Sequence, residues 1–391
     1  MKILAIETSC DETAISIVEA GGNLGNVSFK ILANSILSQG LLHKEYGGVY
    51  PNLAKREHSK NLTPILQKTL TEAGMFEGVN SPLKRDQIIE LKEILTREPE
   101  LFVLLIAFLG KTKKPDIDAI AVTQGPGLEP ALWVGINFAK ALSVVWNIPV
   151  IPVNHMEGHV LSSLIKDGKI TSIEFPTLAL LISGGHTQLV FMKDWSRYEI
   201  IGETRDDAVG EAFDKVARML GLPYPGGPEI SKLAQLAREE NLVSPYSLPR
   251  PMINSNDFDF SFSGLKTAVL YQIKNIKKET GRDFLNDTEK KQIAREFENA
   301  TADVLLEKTK HAIEELGIKT FVLGGGVSAN KHIRYTLETH LPQCVDIYVP
   351  PITLTGDNAI MVAAAGYFTI VSKKHIPKTK DITADGNLSL K

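Results

Sequence analysis

The sequence predicts an α/β fold built from two duplicated halves with a ligand cleft between them. Three observations carry this. Apolar strand-like segments alternate with helix-like ones along the chain, which favours sheets with helices packed on them and largely parallel strands. A strand, small polar turn, strand pattern occurs twice, at 2–19 and 177–192. The chain has 391 residues, 43% hydrophobic and 23% charged, enough for two cores in an ordinary globular composition.

The elements follow in order. Lys2–Thr8 and Ala14–Glu19 read as strands around a turn that carries Cys10, Asp11 and Glu12. Asn52–Ala73 has the period of a long amphipathic helix. Residues 81–114 read as an insertion, charged at Lys84-Arg85-Asp86, then apolar, then basic at Lys111, Lys113 and Lys114. Ala119–Thr123 and Val150–Val153 are strands, and the apolar Leu128–Trp146 between them is a buried helix. Thr177–Ser183 and Gln188–Met192 form the second hairpin. Thr288–Leu316 is a long helix, Thr320–Leu323 and Val345–Val349 are strands, and Ile360–Thr369 is a helix. The expected domains are 1–150, with the insertion and a C-terminal helix over 356–372 packing back on it, then 151–350, then a basic tail over 373–391.

The net charge of −3 gives no global basic field, so a nucleic-acid site must be a local patch. The candidate clusters are Lys373-Lys374-His375 with Lys378 and Lys380, and Lys274 with Lys277 and Lys278. A solvated helix face or tail explains them equally well. Cys10 and Cys344 are the only cysteines, which excludes a disulfide framework or a thiolate zinc site and fits a reducing, cytoplasmic setting. The N-terminus enters a strand directly, without a signal-peptide pattern. The longest apolar run, Leu101 to Leu109, is too short to span a bilayer, so no membrane is expected.

The most chemical motif is His155-Met156-Glu157-Gly158-His159. Two imidazoles four positions apart share one helix face and can share a metal ion. Glu157 lies two positions after His155, about 200° round the helix, so the zincin arrangement is disfavoured. Asp357 offers a third ligand in a two-His-one-carboxylate set suited to iron(II) or zinc. It could equally be only a helix N-cap. Ser183-Gly184-Gly185-His186, Gly226-Gly227-Pro228 and Gly324-Gly325-Gly326 are glycine turns that let backbone approach a phosphate, although hairpins also use them. Gly110-Lys111-Thr112 resembles the end of a P-loop, but Leu105 stands where the pattern needs glycine. Asp214 sits on a helix beside Lys215 and Arg218, where an ordinary salt bridge is the simplest expectation.

Together these stretches resemble the TsaD family, also called the Kae or OSGEP type, of tRNA threonylcarbamoyl transferases. The resemblance runs in family order through Ile6 to Thr13, Gly125-Pro126-Gly127-Leu128, Asn154 to His159, Leu181 to Thr187, Phe213-Asp214-Lys215, Tyr224 to Pro228, Phe260 to Lys266, Gly324 to Asn330 and Gly356 to Ala359. It implies an actin-like/sugar-kinase fold. It implies one metal per subunit, iron(II) with zinc as the alternative, on His155, His159 and Asp357. It implies that Leu181, Ile182, Ser183, Gly184, Gly185, Asp214, Gly227 and Asn330 contact the substrate, and that Asp11 and Glu12 are catalytic. The implied reaction moves the threonylcarbamoyl group of threonylcarbamoyl-adenylate to the N6 amine of the adenosine beside the anticodon, in tRNAs reading codons that begin with A. TsaB-like and TsaE-like proteins are the implied partners. The chain departs from the pattern at residues 81–114 and at Glu129-Pro130. The alternatives are a metalloprotease, a carboxylate-and-magnesium kinase or chaperone of the same fold, and a non-catalytic scaffold.

Overall fold

The computed structural model describes residues 1–79, 82–195 and 197–391; the expected insertion therefore begins, at Ser81, outside the described residues. The chain divides into one unit of 1–172 with 357–390 and another of 173–356.

The first unit contains β1 (Lys2–Glu7), β2 (Glu12–Asn23), β3 (Asn26–Ser38), α1 (Gly40–Lys44), α2 (Pro51–Glu72), α3 (Arg85–Ile94), α4 (Pro99–Leu109), β4 (Ala119–Gly125), α5 (Glu129–Trp146), β5 (Val150–Asn154), α6 (His155–Leu164) and β6 (Lys169–Thr171). Its sheet runs β5-β4-β1-β2-β3-β6. The second unit contains β7 (Thr177–Ile182), β8 (Thr187–Asp194), β9 (Arg197–Glu203), α7 (Val209–Met219), α8 (Gly226–Glu239), α9 (Ser263–Thr280), α10 (Asp287–Leu316), β10 (Thr320–Gly324), α11 (Lys331–His340) and β11 (Asp346–Tyr348). Its sheet runs β11-β10-β7-β8-β9. Chain order within the two sheets is the same, apart from β6 added at one edge, so the duplication is a shared topology. A final helix, α12 (Ala359–Val371), belongs to the first unit.

The expectation of largely parallel sheets needs correction. The first two strands of each unit form an antiparallel hairpin, and a third strand extends it antiparallel. Only the strands reached by crossover, β4 and β5 or β10 and β11, run parallel. A short turn such as that before Glu12 can return the chain only antiparallel.

Local chemistry sets the helix ends. Asn286 and Glu289 form a reciprocal capping box at the start of α10, and Gly317 ends it at φ 62°. Pro130 occupies the first turn of α5, where a missing N–H costs nothing, so the Glu129-Pro130 departure leaves the helix intact. α12 is apolar all round and buried; Gly366 lets it lie on β4, where a Cβ would come 2.7 Å from Ala121 Cβ.

Two expected boundaries shift. β5 hydrogen-bonds to β4, which keeps 151–172 with the first unit rather than the second. The tail after α12 is a packed strap rather than a free basic segment. Gln124 Nε2 donates to Thr383 O at 3.0 Å and Lys140 Nζ to Lys380 O at 3.2 Å, while Ile382 is buried. The insertion is likewise built in. Leu91, Leu95, Leu101 and Leu105 join the core, and buried Glu98 meets Lys55 Nζ at 3.3 Å and Asn137 Nδ2 at 3.2 Å.

Candidate metal centre and nucleotide pocket

α6 begins where β5 ends. Asn154 caps it, its Oδ1 accepting from Met156 N at 2.9 Å and Glu157 N at 3.3 Å. The cap fixes His155 at the first position and His159 one turn later, their rings edge to face with centroids 4.7 Å apart. Gly158 between them lets α12 approach, since a Cβ there would lie 3.1 Å from Met361 Cγ. Asn358, not Asp357, caps α12 by accepting from Met361 N at 3.0 Å. Asp357 is thereby released for the imidazoles. Its Oδ1 lies 3.4 Å from His155 Nε2 and 3.2 Å from His159 Nε2.

These three ligand atoms lie within 4.8 Å of one another. Neither nitrogen of fully buried His159 makes a formed hydrogen bond. A buried polar group left so is costly unless something else binds it. Two imidazoles, one carboxylate and an unsatisfied buried nitrogen fit a divalent transition metal. Glu157 points elsewhere and accepts from Lys374 Nζ at 2.8 Å, so it is no general base for such an ion, and Lys374 is already paired.

Glu7 is the residue the sequence did not single out. It ends β1 fully buried, accepting from Ser9 N and from Thr123 Oγ1, each at 2.5 Å, with its Oε2 also 3.4 Å from His155 Nδ1. A carboxylate so placed can orient the imidazole through its Nδ1, as carboxylates do behind metal-binding histidines. Burial opposes charge on His155, but Asp357 and Glu7 outweigh it and push that imidazole up to about 10. Burial likewise opposes charge on Asp357 and Glu7, and the histidine charge overcomes it, holding both carboxyls below their usual range.

Asp11 and Glu12 sit in and just after the β1–β2 turn. Burial, then the negative charges of Asp357 and Asp11, raise Glu12 to about 9. Burial also pushes the Cys10 thiol well up, which removes it as a thiolate nucleophile.

In the second unit a cavity of about 750 Å³ is lined by Gly184, Asp214, Gly227, Ser231, Arg238, Glu298, Gly326, Asn330 and His332, among others. This is the size of small-ligand pockets, nucleotides included. A Cβ added at Gly184, Gly227 or Gly326 would meet nothing within 4 Å, so these glycines hold ligand space open rather than satisfying packing. Gly325 differs: its φ is 89° and a Cβ would strike Ile182 O at 2.3 Å.

Of the expected substrate residues, Gly184, Asp214, Gly227 and Asn330 line this cavity; Leu181, Ile182, Ser183 and Gly185 do not. Leu181 and Ile182 are strand residues with fully buried side chains, and Ser183 closes the hairpin by accepting from His186 N at 3.1 Å. Asp214 Oδ1 accepts from Gly226 N at 2.7 Å, fastening the start of α8, while Lys215 pairs with Asp207 and Glu211. Asn330 is a hub: its Oδ1 caps α11 at Ile333 N, and its Nδ2 donates to Ser231 Oγ and Glu298 Oε1 at 2.7 Å each. Arg238 donates to the other oxygen of Glu298 at 2.5 Å. Burial and the neighbouring Arg238 depress His332 to about 4, so the cavity presents a neutral imidazole. Ser231, Arg238, Glu298 and His332 escaped the sequence reading because each sits on a helix that reads as an ordinary mixed face.

One unit thus carries a candidate two-His-one-carboxylate metal site and the other a glycine-walled cavity of small-ligand size, in an α/β protein. The profile of the TsaD family, described as tRNA N6-adenosine threonylcarbamoyltransferase, matches residues 30–77 and 104–364. The stretch it skips falls largely within the insertion. Proteins named tRNA N6-adenosine threonylcarbamoyltransferase are similar over almost the whole chain. That of Chromobacterium violaceum is 42% identical over 94% of this chain and 92% of its own length. That of Bacillus subtilis is 39% identical over 100% and 96%, and that of Persephonella marina 43% identical over 94% and 90%. The chain belongs to the TsaD family. Among the described residues no helix is long and apolar enough to cross a membrane.

Proposed function

We propose that this protein transfers the threonylcarbamoyl group of threonylcarbamoyl-adenylate to the N6 amine of the adenosine beside the anticodon, in tRNAs reading codons that begin with A, and releases AMP. Membership of a transferase family, at 39–43% identity over nearly the full chain, carries this reading. The glycine-walled cavity is the proposed place of the AMP moiety, and His155, His159 and Asp357 are the proposed ligands of a metal. Iron(II) is the proposed ion, with zinc as the alternative, one per subunit. When bound it would orient acyl oxygens and polarise the carbonyl.

The rest falls to the chain itself. Asn330, held by Ser231 and Glu298, shapes the nucleotide wall. Glu7 holds the tautomer of His155. The amine forms the new N–C bond, the C–O bond to phosphate breaks, and AMP carries away the electron pair. Asp11 takes the proton lost by the amine, beside a Glu12 that retains its own near neutral pH. TsaB-like and TsaE-like proteins are the proposed partners and the cytoplasm the proposed setting. His155→Ala combined with His159→Ala tests the metal's part: transfer to tRNA should vanish with the bound metal, and full transfer without metal would overturn it.

A further inference from the structure

The turn that presents Asp11 and Glu12 is tied down at three successive carbonyls. Ser9 O accepts from Leu128 N at 2.7 Å, and Asp11 O accepts from Gln39 N at 2.9 Å. Cys10 O, between them, accepts from His58 Nε2 at 3.0 Å. Two of the three ties are backbone to backbone, and the middle one comes from a side chain on α2.

The hydrogen-bond polarity of that side chain can be worked out. A carbonyl only accepts, so Nε2 of His58 carries the proton. Nδ1 is then an acceptor and takes the Thr13 hydroxyl at 2.7 Å. Behind it, Tyr50 N donates to His43 Nδ1 at 3.2 Å, so His43 donates through Nε2 to Gln39 Oε1, also at 3.2 Å. Gln39 Nε2 lies 3.4 Å from His58 Nδ1. Every link runs in the same direction and fixes one tautomer of each histidine. His58 is fully buried, and burial depresses it to about 4, in keeping with a neutral ring. It grips the acidic turn from both sides, at Cys10 O and at Thr13 Oγ1.

We propose that His58 is a positioning residue for the transfer reaction: its Nε2–H sets the conformation of the Cys10–Asp11–Glu12 turn and so aims the acidic side chains. This rests on the transferase reading and on the role of those acids within it. Three variants separate aiming from packing. Gln places an amide N–H where Nε2 was; Asn reaches only to the Nδ1 position; Leu fills space without polarity.

The purified protein, metal-loaded and with its partner proteins, is measured for transfer kinetics, metal content and amide hydrogen exchange. His58→Asn and His58→Leu are expected to lower kcat about 100-fold, the cost of a misplaced group, with KM and metal content nearly unchanged. Both should speed amide exchange over residues 9–13, and His58→Gln should restore both readouts. Wild-type kcat in His58→Asn, unchanged exchange over 9–13, or equal losses in the Gln and Asn variants would overturn the proposal. If the wild-type protein transfers nothing, the transferase reading fails, and this proposal, which rests on it, falls with it.

Discussion

Glu7→Gln alters one atom of a buried group and should weaken metal binding without removing a ligand. The two carboxylate oxygens accept Ser9 N–H and Thr123 O–H at 2.5 Å each, and His155 Nδ1 stands 3.4 Å away. An amide has a single acceptor oxygen. The less costly placement keeps it on Ser9 N–H and turns the NH₂ toward Thr123, whose hydroxyl can rotate and accept. His155 Nδ1–H then faces a donor and loses what fixes its tautomer. One buried donor left unpaired costs about 1–3 kcal/mol. Loss of an outer-shell partner lowers metal affinity about 10- to 100-fold. Titration of iron(II) or zinc against a chromophoric chelator reads this directly, with calorimetric unfolding as the check on folding. An affinity within about twofold of wild type in a folded variant would refute the part given to Glu7 in orienting His155.

The two kinds of glycine should part company. Gly226→Ala forces a Cβ to 2.4 Å from Ala217 Cβ and 2.8 Å from Asp214 Cα. It should cost about 1–3 kcal/mol in denaturant unfolding. Gly227→Ala meets open space and should stay within about 0.5 kcal/mol of wild type, yet weaken AMP in isothermal titration because the methyl occupies ligand space. His58 supplies a pH signature. Its folded value of about 4 lies below the ordinary 6.5, so its stability contribution is complete above pH 6.5 and lost as pH falls toward 4. The loss approaches about 3 kcal/mol, and His58→Gln should show no such component in unfolding between those pH values. Glu298→Ala removes the acceptor for both Arg238 and Asn330 and should weaken AMP binding about tenfold, while metal affinity holds.

The sequence made the short-range geometry legible. A four-residue spacing put His155 and His159 on one face, and the position of Glu157 disfavoured the zincin arrangement before its bond to Lys374 was visible. Long helices such as 288–316 were legible in the pattern, although their caps emerged only in the structure. What escaped was set by pairing across distance. Glu7 reaches His155 across 148 positions because β1, β4 and β5 lie side by side, and its one local signal was an acid ending the apolar run Ile3 to Ile6. β3 was missed because a bulge opposite Ile17 and Val18 breaks its period of two: Val27 and Phe29 face inward, Ile31 is exposed, and the inward face resumes at Ala33 and Ser35. The tail read as basic, whereas the contacts that hold it run through backbone carbonyls such as Lys380 O and Thr383 O, which no side-chain pattern reveals.

The most direct test is mass spectrometry of nucleosides from unmodified tRNA incubated with the metal-loaded protein, its partner proteins and threonylcarbamoyl-adenylate. The expected result is N6-threonylcarbamoyladenosine beside the anticodon, with one AMP released per group transferred, and loss of both when His155 and His159 are replaced. Unmodified adenosine with the complete mixture, or product formation indifferent to those two histidines, would contradict the account.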